Sequence, residues 1–217
     1  MNVALIGASG FVGTALLNEL LERGHQVTAL TRDAANIKKQ HPNLTVVQAT
    51  VTDPTELAEK AKGHDAVISA FNAGWTNPNL YDDFLNGSKA ILEGVKKAEV
   101  KRFIYVGGGG SLYTADGQQF VDLPEFPAAI KPGADAARDF LNIIKEEKEL
   151  DWSFLSPALE MHQGTSGERK GTYRTGLENP VFDENGRSVA SVEDTALAIV
   201  DELENPKHSR KRFTVAY

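Results

Sequence analysis

The sequence predicts an α/β protein with a Rossmann-type fold, in which a doubly wound parallel sheet carries helices on both faces. Three observations predict it. Short apolar runs alternate with longer amphipathic runs along the chain, which is typical of strands and helices in a parallel sheet. A glycine triplet, Gly7, Gly10 and Gly13, separates the first apolar run from the first amphipathic run. No repeat, low-complexity tract or linker divides the chain, so residues 1–217 are expected to form a single domain.

The composition narrows the classes of function. The chain has 217 residues and a formal net charge of −7, so a nucleic-acid or anionic-membrane surface is not expected. It has no cysteine, which excludes disulfides, thiolate metal sites and a cysteine nucleophile. The histidines lack metal-ligand spacing, so no metal is predicted. Neither a signal peptide nor a membrane span is visible, and the cytoplasm is the expected location.

The first strand and helix carry a predicted nucleotide site. Val3–Ile6 is predicted to be a buried strand, and residues 11–23 an amphipathic helix. Gly7 would allow the tight turn between them, Gly10 would let the backbone approach a pyrophosphate, and Gly13 would let the helix lie close to the strand. Amide groups at the helix start would then face the phosphates, where the helix dipole favours negative charge. A plain strand-to-helix turn is the alternative interpretation.

Arg32 predicts the type of nucleotide. It follows the second predicted strand, Gln26–Leu30, where dinucleotide-binding folds hold the adenine ribose. An acid there would bind the 2′-hydroxyl of NAD, whereas an arginine suits the 2′-phosphate of NADP. Asp33 is the nearest acid, and it is expected to cap the following helix. Charge-assisted hydrogen bonds to phosphate are worth about 1.5–3 kcal/mol, which favours NADP over NAD by about 10- to 150-fold. The alternative is a solvated surface arginine.

The next strands lead to a second group of candidate ligand contacts. Leu44–Gln48 and Ala66–Phe71 are predicted strands, with a helix between them at residues 53–62 that Asp53 would cap. Asn72 follows the second of these strands. Because ligands collect at the carboxyl ends of parallel strands, Asn72 could hydrogen-bond a ribose, or it could simply make a turn.

Four consecutive glycines mark the end of the fifth predicted strand. A helix at residues 79–98, which Asn86-Gly87 could kink or break, leads to a strand at 102–106 and then to Gly107–Gly110. A turn alone does not require four glycines. They indicate backbone that passes close to a flat ligand, here the nicotinamide or its ribose, or alternatively the hinge of a lid.

Two long segments in the second half lack a clear period. Residues 112–132 form a polar, proline-containing connection of a length typical of binding loops and lids. After a helix at 134–150 and a strand at 152–155, residues 159–190 are rich in glycine and polar side chains. We interpret 159–190 as a substrate-side segment of the single domain.

The last elements are a helix capped by Ser191, with Asp194 at its third position, and a strand at residues 212–216. The basic run 207–212 between them is expected to be a solvated turn.

Eight motifs along the chain fit one known group of proteins. They are Gly7-Ala8-Ser9-Gly10-Phe11-Val12-Gly13, Thr31-Arg32, Val51-Thr52-Asp53, Asp65-Ala66-Val67-Ile68-Ser69-Ala70, Val106-Gly107-Gly108, Phe154-Leu155-Ser156-Pro157-Ala158, Ser191-Val192-Glu193-Asp194 and Arg212-Phe213-Thr214-Val215. Together they resemble the atypical short-chain dehydrogenase/reductases. Within this group the chain is similar to the NAD(P)H-flavin reductase branch, with flavin/biliverdin reductase and NmrA-like proteins. The resemblance spans essentially the whole chain.

The resemblance implies a cofactor site in several parts. The pyrophosphate would contact the first glycine turn, Arg32 would hold the 2′-phosphate, and Val51 would flank the adenine. Many relatives have an acid just before that valine, where this chain has Thr50. The turn residues are Gly7, Ala8, Ser9, Gly10, Phe11, Val12 and Gly13, the ribose residues are Ala70, Phe71 and Asn72, and the nicotinamide residues are Gly107, Gly108 and Pro157.

The sequence gives few candidates for catalysis. Ordinary short-chain dehydrogenases use a tyrosine with a lysine four residues later, because the ammonium lowers the pKa of the tyrosine. None of the five tyrosines has a lysine at that spacing, which disfavours a standard alcohol or carbonyl oxidoreductase. Ser111 is the catalytic candidate, as a hydrogen-bond donor to an acceptor carbonyl, or else a loop hydroxyl with no catalytic duty. Tyr113, Glu160 and His162 are weaker candidates.

These observations lead to two hypotheses of function. The first is an NADPH-dependent reductase, with NADP(H) preferred over NAD(H), that reduces FMN, another flavin, a quinone or a similar conjugated acceptor. Such acceptors can take a hydride when they stack on the nicotinamide and solvent supplies the proton. The second is a non-catalytic NADP(H)-binding redox sensor or regulator. The expected partner is a small-molecule substrate, and the expected assembly a monomer or homodimer.

Overall fold

The strands and helices of the chain are described over residues 1–217 by a computed structural model. The strands are β1 (Asn2–Ile6), β2 (Gln26–Thr31), β3 (Leu44–Gln48), β4 (Ala66–Ser69), β5 (Arg102–Val106), β6 (Asp151–Ser156), β7 (Arg174–Gly176) and β8 (Lys211–Ala216). The α-helices are α1 (Phe11–Glu22), α2 (Pro54–Ala61), α3 (Leu80–Lys97), α4 (Lys131–Ile144) and α5 (Val192–Glu204).

All eight strands form one sheet in the order β3-β2-β1-β4-β5-β6-β8-β7. Neighbouring strands pair in parallel, except that β7 is antiparallel to β8. The chain first builds outward from β1 to β3 and then returns to add β4 on the other side of β1. A crevice forms outside the carboxyl ends of the strands where the order reverses in this way, so the expected ligand position lies beside β1 and β4.

The helices cover both faces of the sheet. Helices α1 and α5 pack together on one face, and α2, α3 and α4 pack side by side on the other. Each layer buries its own apolar cluster, with 21 buried residues on the α1 side and 25 on the α3 side. The predicted doubly wound Rossmann-type fold is therefore confirmed.

Two helices differ from their predicted form. Helix α3 runs without a break through Asn86-Gly87. A Cβ atom on Gly87 would lie 2.6 Å from the ring of Phe71, so this glycine allows an aromatic ring to pack on the helix. Helix α4 begins at Lys131 and ends at Ile144, earlier at both ends than the predicted 134–150, and Pro132 lies in its first turn, where proline is tolerated.

The basic run 207–212 is solvated only in part. Lys207, Arg210 and Lys211 are exposed, but Arg212 is buried in β8. The expectation of a solvated turn is wrong for Arg212, because the last strand starts at Lys211 and its alternation points the next side chain into the protein.

Residues 159–190 are tied to the rest of the domain at several points. Arg169 pairs with Glu19 of α1, and the backbone amides of Lys170 and Gly171 donate to the carboxylate of Asp194 in α5. Within the segment, β7 adds to the edge of the sheet. None of the helices in the protein combines the length and apolar character needed to cross a bilayer.

Candidate functional site

The turn after β1 has the geometry that the glycine triplet predicts. Gly7 has φ +81°, and a Cβ atom there would lie 2.5 Å from the carbonyl oxygen of Ala70. The amide of Gly10 donates to the carbonyl of Gly7 at 3.0 Å, which closes the tight turn. A Cβ atom on Gly13 would lie 1.9 Å from the same carbonyl oxygen. The structure thus confirms that Gly7 makes the turn and that Gly13 brings α1 against β1.

The start of α1 lacks the side-chain cap that α2 and α5 have, a feature it shares with α3 and α4. Asp53 caps α2 by accepting from the amides of Thr55 and Glu56, and Ser191 caps α5. In contrast, α1 begins at Gly10 with no side-chain cap and no acid in its first turn. Its first amides and the positive end of its dipole are therefore available to an anion.

A groove of about 500 Å³ runs along the carboxyl ends of β1, β2 and β4. It joins eight of the predicted cofactor residues in one site. They are Gly7, Ser9, Gly10, Arg32, Val51, Ala70, Phe71 and Asn72. The side chain of Asn72 accepts from the amide of Gly74 at 2.7 Å, so Asn72 makes the turn that was the alternative interpretation. It also lines the groove.

Arg32 lies at the wall of this groove with its guanidinium free. Its side chain is exposed and makes no hydrogen bond or ion pair within the protein. Asp33 does not line the groove, and its carboxylate accepts from the amide of Ala35, which confirms its predicted role as a helix cap. A free cation without a competing acid at this position suits a phosphate.

The other predicted cofactor residues lie outside the groove. Ala8 is buried, Gly13 is covered by the turn, and neither Val12 nor Thr50 lines the groove. Phe11 lines a second cavity of about 640 Å³, which shares Ser9 and Gly10 with the groove and is walled by parts of α1, α5 and residues 163–169.

Several groove residues were missed by sequence reasoning. They are Ile6, Leu30, Thr31, Thr52, Ala73, Asn77, Asp83, Asn86 and Gly87. Asn77 donates to Asp83 at 2.8 Å across the start of α3. The Asn86-Gly87 pair in α3 was the one sequence signal for these groove residues, because a glycine inside an unbroken helix usually marks a place where another group packs closely on the helix.

The four glycines after β5 pack against protein. A Cβ atom on Gly107 would lie 1.9 Å from the ring of Phe154, and one on Gly109 would lie 2.7 Å from the carbonyl oxygen of Pro157. The corresponding atom on Gly108 would meet Ala137 at 3.3 Å, and that on Gly110 would meet Phe126 at 3.2 Å. Packing within the protein therefore explains these glycines, while the contacts of Gly107, Gly108 and Pro157 with a nicotinamide stay predictions.

Ser111 ends this glycine loop and points into the protein. Its Oγ donates to the carbonyl of Gly108 at 2.9 Å and lies 3.2 Å from the Oγ of Ser156. Arg212, a residue that sequence reasoning placed in solvent, donates to both the carbonyl and the Oγ of Ser111, at 2.7 and 3.2 Å. The buried hydroxyl thus holds the shape of the loop, and its catalytic role stays a prediction.

Arg212 also joins the loop to residues 159–190. Its side chain is 0% exposed and pairs with the carboxylate of Glu178, while its guanidinium carbon lies 5.4 Å from the ring centre of Tyr113. The Nε of Arg212 is buried without a partner. Because the Arg212 guanidinium binds both Ser111 and Glu178, it fixes the glycine loop and residues 159–190 relative to β8.

Four of the five tyrosines have hydroxyls engaged in structural hydrogen bonds, and the fifth is Tyr113. The hydroxyls of Tyr81, Tyr173 and Tyr217 donate to aspartates, and that of Tyr105 is buried against Ser88. Burial and the neighbouring carboxylate raise the pKa of Tyr217, although Lys170 lies over its ring at 3.8 Å. A catalytic tyrosine needs a lowered pKa, so this lysine does not activate it.

The two weaker candidates after β6 are engaged in local structure. The Arg187 guanidinium holds the pKa of the Glu160 carboxyl below its usual value. The Nδ1 of His162 accepts from the amide of Gly164 at 3.1 Å and caps a short helical turn. Both contacts are structural.

Comparisons with known proteins agree with this site. A family model described as NAD(P)H-binding matches residues 7–206. The chain is 35% identical over 217 residues to the uncharacterized protein YwnB of Bacillus subtilis, covering 99% of this chain and 98% of the relative. It is 31% identical to the protein YMR090W of Saccharomyces cerevisiae, covering 98% of this chain and 91% of the relative.

Two solved structures share the fold over the whole chain. A protein of Bacteroides thetaiotaomicron, provisionally named an epimerase, is 48% identical with a TM-score of 0.92, and the match covers 100% of this chain and 96% of that one. SP1627 of Streptococcus pneumoniae, provisionally named an NADH-flavin reductase, is 34% identical with a TM-score of 0.85, covering 100% and 99%. The chain therefore belongs to the NAD(P)H-binding family, in agreement with the resemblance of its motifs to the atypical short-chain dehydrogenase/reductases.

Proposed function

We propose that the protein is an NADPH-dependent reductase of a flavin, a quinone or a similar conjugated small acceptor. The observation that carries this proposal is the contrast within the carboxyl edge of the sheet. A groove suited to a dinucleotide lies beside β1, yet no tyrosine lines it. An acceptor that needs only a hydride and a solvent proton fits such a site.

The residues present fit a nicotinamide cofactor with a 2′-phosphate. Gly7 and Gly10 line the groove, and the start of α1 beside them has no side-chain cap, so its amides are open to a pyrophosphate. Arg32 supports NADP over NAD because its guanidinium has no partner in the protein. The provisional name of SP1627 mentions NADH, so the preference for NADPH over NADH needs an experiment of its own.

The chain's own residues would bind and orient the reactants. The chemistry that the bound cofactor supplies is hydride transfer, which oxidises the nicotinamide and, with one solvent proton, reduces the acceptor by two electrons. The uncapped start of α1 would hold the pyrophosphate, and the tightly packed loop Gly107–Ser111 would support the nicotinamide end. Rigid support of both reactants supplies the orientation that direct transfer needs.

Turnover tests the reductase directly. Purified protein is mixed with NADPH and with FMN, riboflavin or a quinone, and the absorbance of the reduced cofactor is followed with time. We expect acceptor-dependent oxidation of NADPH. Tight NADPH binding without turnover of any acceptor would overturn the reductase and favour the redox sensor or regulator.

Cofactor choice is tested with Arg32→Ala, and Lys38→Ala serves as the matched control because Lys38 is exposed and does not line the groove. Loss of a charge-assisted phosphate contact of about 1.5–3 kcal/mol should raise the Kd for NADPH by about 10- to 150-fold. The Kd for NADH should change little. Equal weakening of both cofactors would show that Arg32 does not bind the 2′-phosphate.

A further inference from the structure

Large apolar side chains are exposed mainly near the carboxyl edge of the sheet. Four of the seven such side chains lie on segments that follow the carboxyl ends of β1, β4, β5 and β6. They are Phe11, Trp75, Ile130 and Leu159. Two others lie within residues 159–190, and the last is Met1. Among them, Trp75 lies between Ala73 and Asn77, two residues that line the groove, where an exposed ring is available to an apolar ligand.

Trp75 is the most exposed of them, with 58% of its surface accessible. It follows β4 in a loop that is held in place by hydrogen bonds. The side chain of Asn72 accepts from the amide of Gly74 at 2.7 Å, and the amide of Asn77 donates to the carbonyl of Gly74 at 3.0 Å. The loop that carries the indole is therefore ordered although the ring is exposed.

The indole also packs against the start of α4. A Cβ atom on Gly133 would lie 2.9 Å from Cζ3 of Trp75, so the ring lies on bare helix backbone. The six-membered ring of the indole is thus held against Gly133, while 58% of the residue is exposed to solvent. An aromatic ring held in this way loses little conformational freedom when a second ring stacks on it.

The same helix turn connects Trp75 to the glycine loop after β5. Gly133 contacts Trp75. The next residue, Ala134, packs on the loop, since a Cβ atom on Gly110 would lie 3.3 Å from the Cβ of Ala134. One turn later, Ala137 contacts the Cβ position of Gly108 at the same distance. The first two turns of α4 therefore contact both Trp75 and the loop Gly107–Gly110, the predicted nicotinamide end.

We propose that Trp75 is a specificity-determining residue that stacks on the ring system of the acceptor. This inference rests on the proposed reductase function and narrows it. The acceptor is a planar fused aromatic molecule, large enough to reach from the nicotinamide end to Trp75. A small aliphatic carbonyl compound cannot make this contact, and offset stacking of aromatic rings favours the larger acceptor.

Binding to a complex that cannot turn over tests this contact. The protein is saturated with NADP⁺, and FMN is titrated while its own fluorescence is followed. Menadione and pyruvate are then tested as competitors. We expect FMN and menadione to bind at the same site, and pyruvate not to compete. No binding of FMN or menadione to the wild-type complex would overturn the inference.

Three variants separate stacking from general effects. Trp75→Ala should raise the Kd for FMN by about 10-fold or more, whereas Trp75→Phe keeps a ring and should raise it by less than about 3-fold. Trp152→Phe replaces the other tryptophan, which is buried and does not line the groove, and should leave FMN binding unchanged. The Kd for NADP⁺ should be unchanged in all three, and thermal unfolding shows that each is folded.

Steady-state kinetics distinguishes failure of this inference from failure of the reductase. With turnover present, Trp75→Ala should raise the KM for the acceptor and leave the KM for NADPH unchanged. Turnover with an unchanged acceptor KM would overturn the role of Trp75 and keep the reductase. Binding of FMN that depends on Trp75 without any turnover would keep the ligand site and overturn the reductase.

Discussion

Two glycine loops at the carboxyl edge of the sheet look alike in sequence and differ in structure. In the turn after β1, Gly7 has a positive φ and both Gly7 and Gly13 would collide with backbone atoms if they carried a Cβ. In the loop Gly107–Gly110 no glycine has a positive φ, and the obstacles at Gly107 and Gly110 are aromatic side chains. The first loop is shaped by backbone contacts, whereas the second depends mainly on side chains from other elements, together with the carbonyl of Pro157 at Gly109.

This difference shows what glycine does at each end of the site. In the first turn, close backbone packing leaves an uncapped helix start open to an anion. In the second, the glycines make room for Phe154 and Phe126, while Arg212 and Ser111 fix the loop from below. A run of glycines therefore indicates that another group packs closely against the backbone. The structure is needed to tell whether that group is a ligand or another part of the protein.

The largest effect is expected for Gly13→Ala. The added Cβ would lie 1.9 Å from the carbonyl oxygen of Gly7, and no side chain can move to relieve this collision. Overpacking against backbone should lower the free energy of unfolding by about 3 kcal/mol or more, measured by urea denaturation.

Gly10→Ala is the matched control for that change. Its Cβ would lie 3.3 Å from the carbonyl oxygen of Gly7, so the loss of stability should be smaller. NADPH binding should still be weakened, because the methyl group would project into the groove. A free energy of unfolding of Gly13→Ala within about 1 kcal/mol of wild type would show that backbone packing does not require glycine at this position.

Arg212→Met should have the next largest effect. It removes the hydrogen bonds to Ser111 and the pair with Glu178, but Glu178 is half exposed and can be hydrated again. We expect a loss of about 2–3 kcal/mol in the free energy of unfolding, together with a lower turnover and an unchanged Kd for NADPH.

Ser111→Ala separates the two parts of this contact. It keeps the carbonyl that accepts from Arg212 and removes only the hydroxyl, so it should cost about 1 kcal/mol. If Arg212→Met weakens NADPH binding as strongly as it lowers turnover, the loop Gly107–Ser111 also supports the cofactor groove, and the two glycine loops do not act independently.

Gly107→Ala should destabilise the protein by about 1–3 kcal/mol, because its Cβ would lie 1.9 Å from the ring of Phe154. Unlike the collision at Gly13, this one involves a side chain. Adding Phe154→Leu to Gly107→Ala should therefore cost less than the sum of the two single changes, measured as a double-mutant cycle in urea. Strict additivity would show that the ring is not the obstacle.

The smallest effect concerns the link between α1 and residues 159–190. Burial alone would raise the pKa of Glu19, but hydrogen bonds from Arg169 and Arg23 outweigh it and hold that pKa below its ordinary 4.5. A lowered folded-state pKa gives stability that is present above the ordinary value and is lost as pH falls through the folded-state value.

Glu19→Gln should therefore lower the free energy of unfolding by about 1 kcal/mol at neutral pH, and the difference from wild type should shrink as the pH falls below 4.5. Glu22→Gln is the control, since Glu22 is exposed and makes no ion pair. A difference that stays constant down to strongly acidic pH would show that the charge of Glu19 is not involved.

Local rules explain which parts of the fold the sequence predicts. The bounds of β3 and β5 agree with their apolar runs, and Asp53 caps α2 as its spacing indicates. The roles of Gly7 and Gly13 also depend on neighbours within a few residues. Such features are set by short-range sterics and hydrogen bonding, so one stretch of sequence contains all the information they need.

The parts that were missed depend on contacts between distant residues. The burial of Arg212 requires Glu178 and the carbonyl of Ser111, which lie 34 and 101 positions away. The groove contacts of Asn77 and Asp83 require the placement of α3 against the carboxyl end of β4. No local pattern records these pairings, so sequence reasoning could not place Arg212, Asn77 or Asp83.

The groove and the support of the loop Gly107–Ser111 are synthesised at different times. Every residue that lines the groove lies between positions 6 and 87, so the cofactor groove draws on the first half of the chain alone. The loop Gly107–Ser111 reaches its final support only when Arg212 has been added to β8. A chain still emerging from the ribosome therefore has all the groove residues long before it has the support of the loop Gly107–Ser111. A truncation before residue 212 would remove that support and spare every groove residue.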